Sequence, residues 1–309
     1  MLTIFGLISI VAALSSVLLA FRIRSMISVW TAWQAWNWMI VALLSALLHA
    51  ILSLPPLHVS DAVTSSAAYF ATTMLLTPLV TLLGARRPGI AAWHWFIVLP
   101  MVVVLQWPAI SQLFGSHGRS PLELSAPATM GVVVVLLLSS GTLMGTSSTG
   151  VALAYSSAIL ILLASTTGNK SAQFPVTAFA PILMMTAMWM ARRNLDAHLT
   201  RLRTATTALL RIQTVGEIFS SLYGFAWTRR VQDRINQFAP RERWSVRLTA
   251  TGFNRLDGNA PTDDELQQPL EAFVWVLSRF ADEGWLRHVL KHEKPDNLTS
   301  LRQPTVPSN

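Results

Sequence analysis

The chain has 309 residues, of which 52% are hydrophobic and only 12% are charged, and its formal net charge is +8. An average soluble protein has about a quarter charged residues, so this composition excludes an ordinary soluble enzyme. The absence of cysteine excludes disulfides, thiolate nucleophiles, iron–sulfur clusters and cysteine zinc sites.

The few charges are distributed unevenly along the chain. Residues 1–191 contain six Lys or Arg and two Asp or Glu, whereas residues 192–309 contain seventeen and thirteen. This asymmetry predicts lipid as the solvent of the first part and water as the solvent of the second. The arginines of the second part begin directly after the last apolar run. We therefore expect the lipid bilayer, with anionic headgroups at the inner leaflet, and not nucleic acid as the partner.

The apolar runs predict a mainly α fold, a polytopic membrane bundle of about seven spans. A helix needs about twenty apolar residues to cross the bilayer, and the first four runs reach that length. The fifth and sixth runs are short for a full crossing. No basic segment precedes the first run, so we interpret it as a retained span and not as a signal peptide. The predicted spans are 2–21, 27–54, 62–84, 90–113, 129–144, 151–165 and 174–191.

Arginines at the ends of the predicted spans indicate the orientation of the bundle. If successive spans alternate in direction, three arginine pairs fall on one side, namely Arg22 with Arg24, Arg86 with Arg87, and Arg192 with Arg193. Only Arg119 and Lys170 fall in the short loops of the other side. Because short cytoplasmic loops are rich in Lys and Arg, we expect an outside N-terminus and a cytoplasmic C-terminus in the plasma (inner) membrane.

After the last span, residues 192–215 predict a basic juxtamembrane helix with leucines at helical spacing. Two interpretations remain open for it: a stalk that pairs with a second copy to form a homo-oligomer, or a helix that lies on the inner leaflet. In either arrangement its first arginines would contact anionic lipid headgroups. These arginines are Arg192, Arg193, Arg201 and Arg203.

Residues 216–293 predict a small cytoplasmic α+β domain, and residues 294–309, with several prolines, predict a disordered tail. The alternation from Trp244 to Ala250 is typical of a strand with one buried face. A single strand cannot form a sheet, so a second strand must lie near Arg255 or come from a partner copy. Thr262 and Glu265 have the spacing of a capping box at the start of a helix.

Polar and aromatic side chains share one face at the start of the second span, namely Trp30, Trp33, Gln34 and Asn37. They could form a pocket for a lipid headgroup or an amphipathic ligand. Hydrogen bonds between helices and an aromatic belt at the membrane surface account for the same pattern more simply.

A second candidate group lies toward the outer face and consists of His49, His58 and Asp61. It could bind a metal ion or a haem edge, although its spacing matches no established ligand pattern. We expect no cofactor. The serines at 139, 140, 147 and 148 have no base nearby in the sequence, so they do not indicate a serine hydrolase.

No ionisable residue lies at mid-membrane depth, because the acidic residues before the tail, Asp61 and Glu123, are at or beyond the outer interface. This argues against a proton-coupled pump, a channel with acidic rings and an intramembrane carboxylate hydrolase. The sequence favours a non-enzymatic sensor, anchor or assembly protein that couples the membrane to a cytoplasmic domain. The alternatives are a transporter or lipid-handling protein for a neutral or amphipathic solute, and a membrane enzyme that uses the outer histidines.

Overall fold

The computed structural model describes residues 2–54, 57, 59–85, 90–114, 122, 124–166, 179–250, 252–257 and 259–290. The helices are α1 (Leu2–Met26), α2 (Trp33–Leu52), α3 (Asp61–Leu83), α4 (Ile90–Trp93), α5 (Leu99–Phe114), α6 (Ala126–Gly141), α7 (Thr149–Thr166), α8 (Phe179–Thr204), α9 (Ala208–Asn236), α10 (Asp263–Leu277) and α11 (Glu283–Leu290). A π-helical turn, His94–Val98, joins α4 to α5. The predicted tail, 294–309, lies outside the described residues.

The mainly α fold is confirmed, and five segments in the described part of the chain are long and apolar enough to cross a membrane. These segments are Ile4–Met26, Trp33–Leu52, Asp61–Leu83, Ala91–Gln112 and Thr149–Thr166. Helix α6 is apolar but has only 16 residues. The predicted seventh span begins outside the described residues, and its second half forms the start of α8.

Helix α3 lies at the centre of the bundle, where α2, α5, α6 and α7 pack against it. Four of its threonines are fully buried among apolar side chains: Thr72, Thr73, Thr77 and Thr81. Each hydroxyl donates a hydrogen bond to a carbonyl three or four residues earlier in the same helix. This internal pairing lets polar side chains occupy an apolar interior without leaving unsatisfied donors.

A second core joins one end of the bundle to the C-terminal residues. It includes Ile23 at the end of α1, Ala85 after α3 and Leu195 in α8, together with side chains from α9, the hairpin, α10 and α11. The basic segment predicted at 192–215 is not one separate helix, because α8 continues through it to Thr204. A new helix then begins after Thr207, whose hydroxyl accepts a hydrogen bond from the Leu210 N–H. Of the apolar residues in the basic segment, Leu195, Leu202 and Ile212 are buried in the second core, whereas Leu199 and Leu209 are only partly buried.

The C-terminal domain consists of α9, a β-hairpin, α10 and α11. Strands β1 (Val246–Thr249) and β2 (Gly252–Arg255) pair antiparallel, so the second strand lies near Arg255, as the first alternative predicted. The capping box is also confirmed, because the Glu265 carboxylate accepts the Thr262 N–H at 2.9 Å.

Helix α9 is kinked at Gly224, which has φ 80° and ψ 175°. The kink lets the next N–H, that of Phe225, donate to the Thr142 carbonyl at the end of α6, with a distance of 2.7 Å. A Cβ at position 224 would lie 2.3 Å from that carbonyl oxygen. Only glycine combines this backbone conformation with so close an approach.

We expect Gly224→Ala to reduce the free energy of unfolding by about 1–3 kcal/mol, because it adds left-handed strain and a clash with Thr142. The matched control is Gly216→Ala in the same helix, where an added Cβ would meet no heavy atom within 4 Å. Thermal unfolding of both variants, followed by tryptophan fluorescence in detergent, measures the difference. Equal melting temperatures would contradict the assigned role of Gly224.

Candidate functional site at the junction of the bundle and the C-terminal domain

The segment between α1 and α2, residues 27–32, pairs with the turn between α10 and α11. The Thr31 N–H donates to the Phe280 carbonyl at 2.7 Å, and the Asp282 N–H donates to the Val29 carbonyl at 2.8 Å. These two bonds enclose an antiparallel bridge between Trp30 and Ala281. The second predicted span began at residue 27, but the helix begins at Trp33. The preceding residues form turns, and only Val29 and Thr31 among them make strand-like hydrogen bonds.

The Trp30 side chain is 1% exposed and lies in an aromatic cluster contributed by the C-terminal domain. Its ring centroid is 5.4 Å from that of Trp285, 6.2 Å from Tyr223 and 6.4 Å from Phe219. Phe280 completes the cluster with edge-on contacts to Phe219 and Tyr223. Aromatic pairs of this kind contribute about 0.5–1.5 kcal/mol each beyond area burial.

The Tyr223 hydroxyl connects three parts of the chain at the same place. It accepts the Ala32 N–H at 3.0 Å and lies 2.9 Å from the Thr31 hydroxyl and 3.1 Å from the Phe280 carbonyl. The Thr31 hydroxyl in turn lies 2.6 Å from the carbonyl of Ala85, directly after α3. The ends of α1, α2 and α3 are therefore attached to the C-terminal domain through one buried polar network.

A second polar group, at the same end of the bundle, joins the α6–α7 loop to α8 and α9. The Ser147 hydroxyl lies 3.3 Å from His198 Nε2, and His198 Nδ1 lies 3.5 Å from the Glu217 carboxylate. Arg201 donates to the same carboxylate at 2.7 Å. Asn194 donates to the Ser147 carbonyl, also at 2.7 Å. Beside these residues lies a cavity of about 350 Å³, which the β-hairpin closes on one side.

Burial lowers the pKa of His198, although the neighbouring Glu217 opposes that effect. A neutral imidazole can accept a proton from Ser147, so the three side chains have the order of nucleophile, base and acid. The Ser147–His198 distance is long for a catalytic hydrogen bond, and Arg201 already neutralises the acid. The sequence did not reveal this group because its serine and histidine are 51 residues apart. The local signal in the sequence for this site is the glycine at position 145, which lies in a turn with φ 76°.

The structure divides the predicted ligand face of the second span. Trp30 lies in the aromatic cluster, whereas Trp33 and Asn37 contact Arg24 of α1. The Arg24 guanidinium donates to the Asn37 side-chain oxygen and lies 5.6 Å from a Trp33 ring centroid. Gln34 is half-buried at the start of α2. Two of the four side chains thus hold α1 against α2.

The predicted outer group is described only in part. His49 is buried in α2, and Asp61 is the exposed first residue of α3. His58 lies outside the described residues. Across the described ranges, no three His, Cys, Asp or Glu side chains lie close enough to hold a metal ion.

The four arginines predicted to contact lipid headgroups differ in their surroundings. Arg192 lies 3.5 Å from Asp196, and Arg201 pairs with Glu217. The Arg193 guanidinium lies 5.3 Å from a Trp189 ring centroid, and Arg203 is exposed.

The chain was compared with known proteins at three levels. No protein-family model, no curated protein and no solved structure matches it.

We expect acid to destabilise the junction through His198. Because the pKa of the folded histidine is below its ordinary value of 6.5, the unfolded chain binds the proton more readily. The stability contributed by neutral His198 is present at pH values above the ordinary pKa of 6.5, and it is lost as the pH falls toward the lower pKa of the folded protein. His198→Gln should therefore reduce the fall in melting temperature between about pH 7.5 and about pH 5.5.

His288→Gln in α11 is the control for replacing a histidine outside this group. Melting curves of both variants and of the unchanged protein at the two pH values measure the effect. An identical pH dependence in all three would contradict the role assigned to His198.

Proposed function

We propose that this chain is a multi-pass membrane protein that couples its helical bundle to a small cytoplasmic domain, as a sensor, an anchor or an assembly protein. The observation that carries the proposal is the pairing of residues 27–32 with the C-terminal domain. Since the connection between the first two spans forms part of the domain's core, a shift of α1 against α2 must displace the aromatic cluster or break the Tyr223 network. Bundle and domain therefore respond together.

The position of the shared core supports an outside N-terminus, a cytoplasmic C-terminus and seven spans. Three residues of the shared core, at one end of the bundle, lie next to the arginine pairs in the sequence. Ile23 lies between Arg22 and Arg24, Ala85 precedes Arg86, and Leu195 follows Arg193. The α6–α7 loop contacts α9 at this same end. With α6 and α8 counted as spans, the bundle alternates in direction, and the arginine-rich ends lie on the side that the positive-inside rule assigns to the cytoplasm.

The interior of the bundle favours coupling over transport. A cavity between α1, α2, α3, α7 and α8, at the end of the bundle next to α9, has a volume of only about 80 Å³ and is lined mainly by apolar side chains, among them Met39, Leu79 and Tyr155. Binding sites for small molecules usually have volumes of about 300–1,000 Å³. Asn37, which motivated the transporter alternative, is used in the contact with Arg24.

One observation favours a second candidate function, a serine hydrolase that acts at the membrane surface. Ser147, His198 and Glu217 have the order of a catalytic triad, next to a cavity and at the start of α7. In such a reaction Ser147 Oγ would attack an ester carbonyl while His198 takes its proton. His198 would then return the proton to the departing alcohol, and water would release the acyl group. The pairing of Glu217 with Arg201 makes this the weaker of the two candidates.

The coupling proposal predicts that Tyr223→Phe separates the two parts of the molecule. Loss of the hydroxyl leaves the buried Ala32 N–H without its acceptor, at a cost of about 1–3 kcal/mol. Hydrogen–deuterium exchange of residues 27–32 and 278–282 should respond to a change from long-chain to short-chain lipids in the unchanged protein. The variant should exchange faster and should lose most of that response.

Tyr155→Phe is the matched control, because it removes a buried hydroxyl that donates to Leu75 inside the bundle. It should keep the lipid response of the junction. If the unchanged protein itself gives the same exchange in both bilayers, the coupling proposal fails. A reporter fused after Asn309 tests the orientation separately, and activity of that reporter outside the cell would overturn it.

The hydrolase candidate predicts that a fluorophosphonate probe labels the full-length protein at Ser147. Ser147→Ala should abolish labelling, whereas Ser148→Ala, one residue away, should retain it. The Ser148 hydroxyl donates to the Ser221 carbonyl and not to a histidine. Absence of labelling in the folded, unchanged protein eliminates this candidate.

A further inference from the structure

We propose that the outer surface between α1 and α8 binds one anionic phospholipid, with its phosphate at Arg22 and Arg193 and an acyl chain along the groove. This inference rests on the proposed placement of the protein in a membrane and names a partner for it. The site differs from the four arginines predicted from the sequence, because it adds Arg22 and an apolar groove and excludes Arg201, which is paired with Glu217.

The groove has the shape and lining that an acyl chain requires. It has a volume of about 760 Å³ and runs between the two helices, past Leu18 and Phe21 on α1 and Met185 and Trp189 on α8. Leu18, Phe21 and Trp189 are each at least half exposed, so the groove faces away from the bundle. Burial of an acyl chain there would cover apolar surface that packs against no other part of the described chain.

One end of the groove carries positive charge. Arg22 lines this end and is exposed. Within the described ranges its guanidinium forms no ion pair with a carboxylate. Arg193, one turn beyond Trp189, is exposed and stacks on that tryptophan ring. Arg24, by contrast, turns inward to Asn37. Arg22 and Arg193 thus remain available to a phosphate group, for which the guanidinium fork is well suited.

The depth of these residues matches the geometry of a phospholipid. Arg22 lies four residues before the end of α1, and Arg193 follows the uncharged run of α8 that ends at Ala191, so both fall at the predicted headgroup level of the inner leaflet. The apolar part of the groove extends from there toward the membrane interior. A zwitterionic lipid would bring a cation beside the two arginines, whereas an anionic lipid would not. The charge pattern therefore favours an anionic headgroup.

Native mass spectrometry of the full-length protein in a non-ionic detergent tests the site, with phosphatidylglycerol and phosphatidylcholine as the probes. We expect the unchanged protein to retain phosphatidylglycerol preferentially. The double variant Arg22→Gln with Arg193→Gln should bind it about thirtyfold more weakly, the size expected when two arginines no longer face an anionic headgroup. The control, Arg241→Gln with Arg247→Gln, removes the same charge at two exposed positions of the C-terminal domain and should bind normally.

A third variant, Ser15→Trp, fills the apolar part of the groove and should weaken binding without any change of charge. Glycerol phosphate, which lacks acyl chains, should not displace the lipid. Equal binding of the two lipids, or equal loss in the two double variants, would overturn the proposal. These outcomes do not depend on which side of the membrane faces the cytoplasm, so a failed lipid site and a failed orientation give separate results.

Discussion

A buried stretch of backbone must find hydrogen-bond partners, and residues 27–32 find theirs in the C-terminal domain. The Thr31 N–H and the Val29 carbonyl pair with the turn after α10, and the Ala32 N–H pairs with the Tyr223 hydroxyl. Without the domain, these groups and the Trp30 ring would be exposed at the end of the bundle. Without the bundle, the aromatic cluster of the domain would have a cavity at the position of the Trp30 ring. The second core is therefore complete only when both parts are present, which is the physical basis of the coupling proposal.

Buried hydroxyl groups have different kinds of partner in α3 and at the junction. In α3 the threonine hydroxyls bond within their own helix, so they are satisfied and connect nothing. At the junction the hydroxyls of Thr31, Tyr223 and Ser148 bond to other elements. Hydrogen bonds between separate elements also occur inside the bundle, where the Tyr155 hydroxyl donates to the Leu75 carbonyl, but at the junction such bonds join the bundle to the C-terminal domain.

Local chemistry explains which features could be predicted from the sequence. Long apolar runs, the arginines at their ends, the alternation around Val246 and the spacing of Thr262 and Glu265 each carry their signal within a few residues. The apolar helices, the first strand and the capping box are present in the structure, and the second strand lies where one of two alternatives put it, whereas the orientation inferred from the arginines stays a prediction. The role of Trp30 could not be derived, because a tryptophan near the end of a span has the same local pattern in a lipid interface and in a protein core. The kink at Gly224 and the Ser147–His198 contact depend on partners far away in the chain.

The long separation between Trp30 and its partners affects how the chain is made. Thr31 and Tyr223 are 192 residues apart, and at roughly 5–20 residues per second their joint appearance takes roughly 10–40 seconds of translation. If the first helices insert into a membrane as they are made, the Trp30 side chain has no partner during that interval. The contacts of Trp30 with the C-terminal domain close long loops of the chain and can form only after that domain has been made. In a chain whose synthesis stops early, residues 27–32 would stay exposed, and quality-control proteases and chaperones could recognise them.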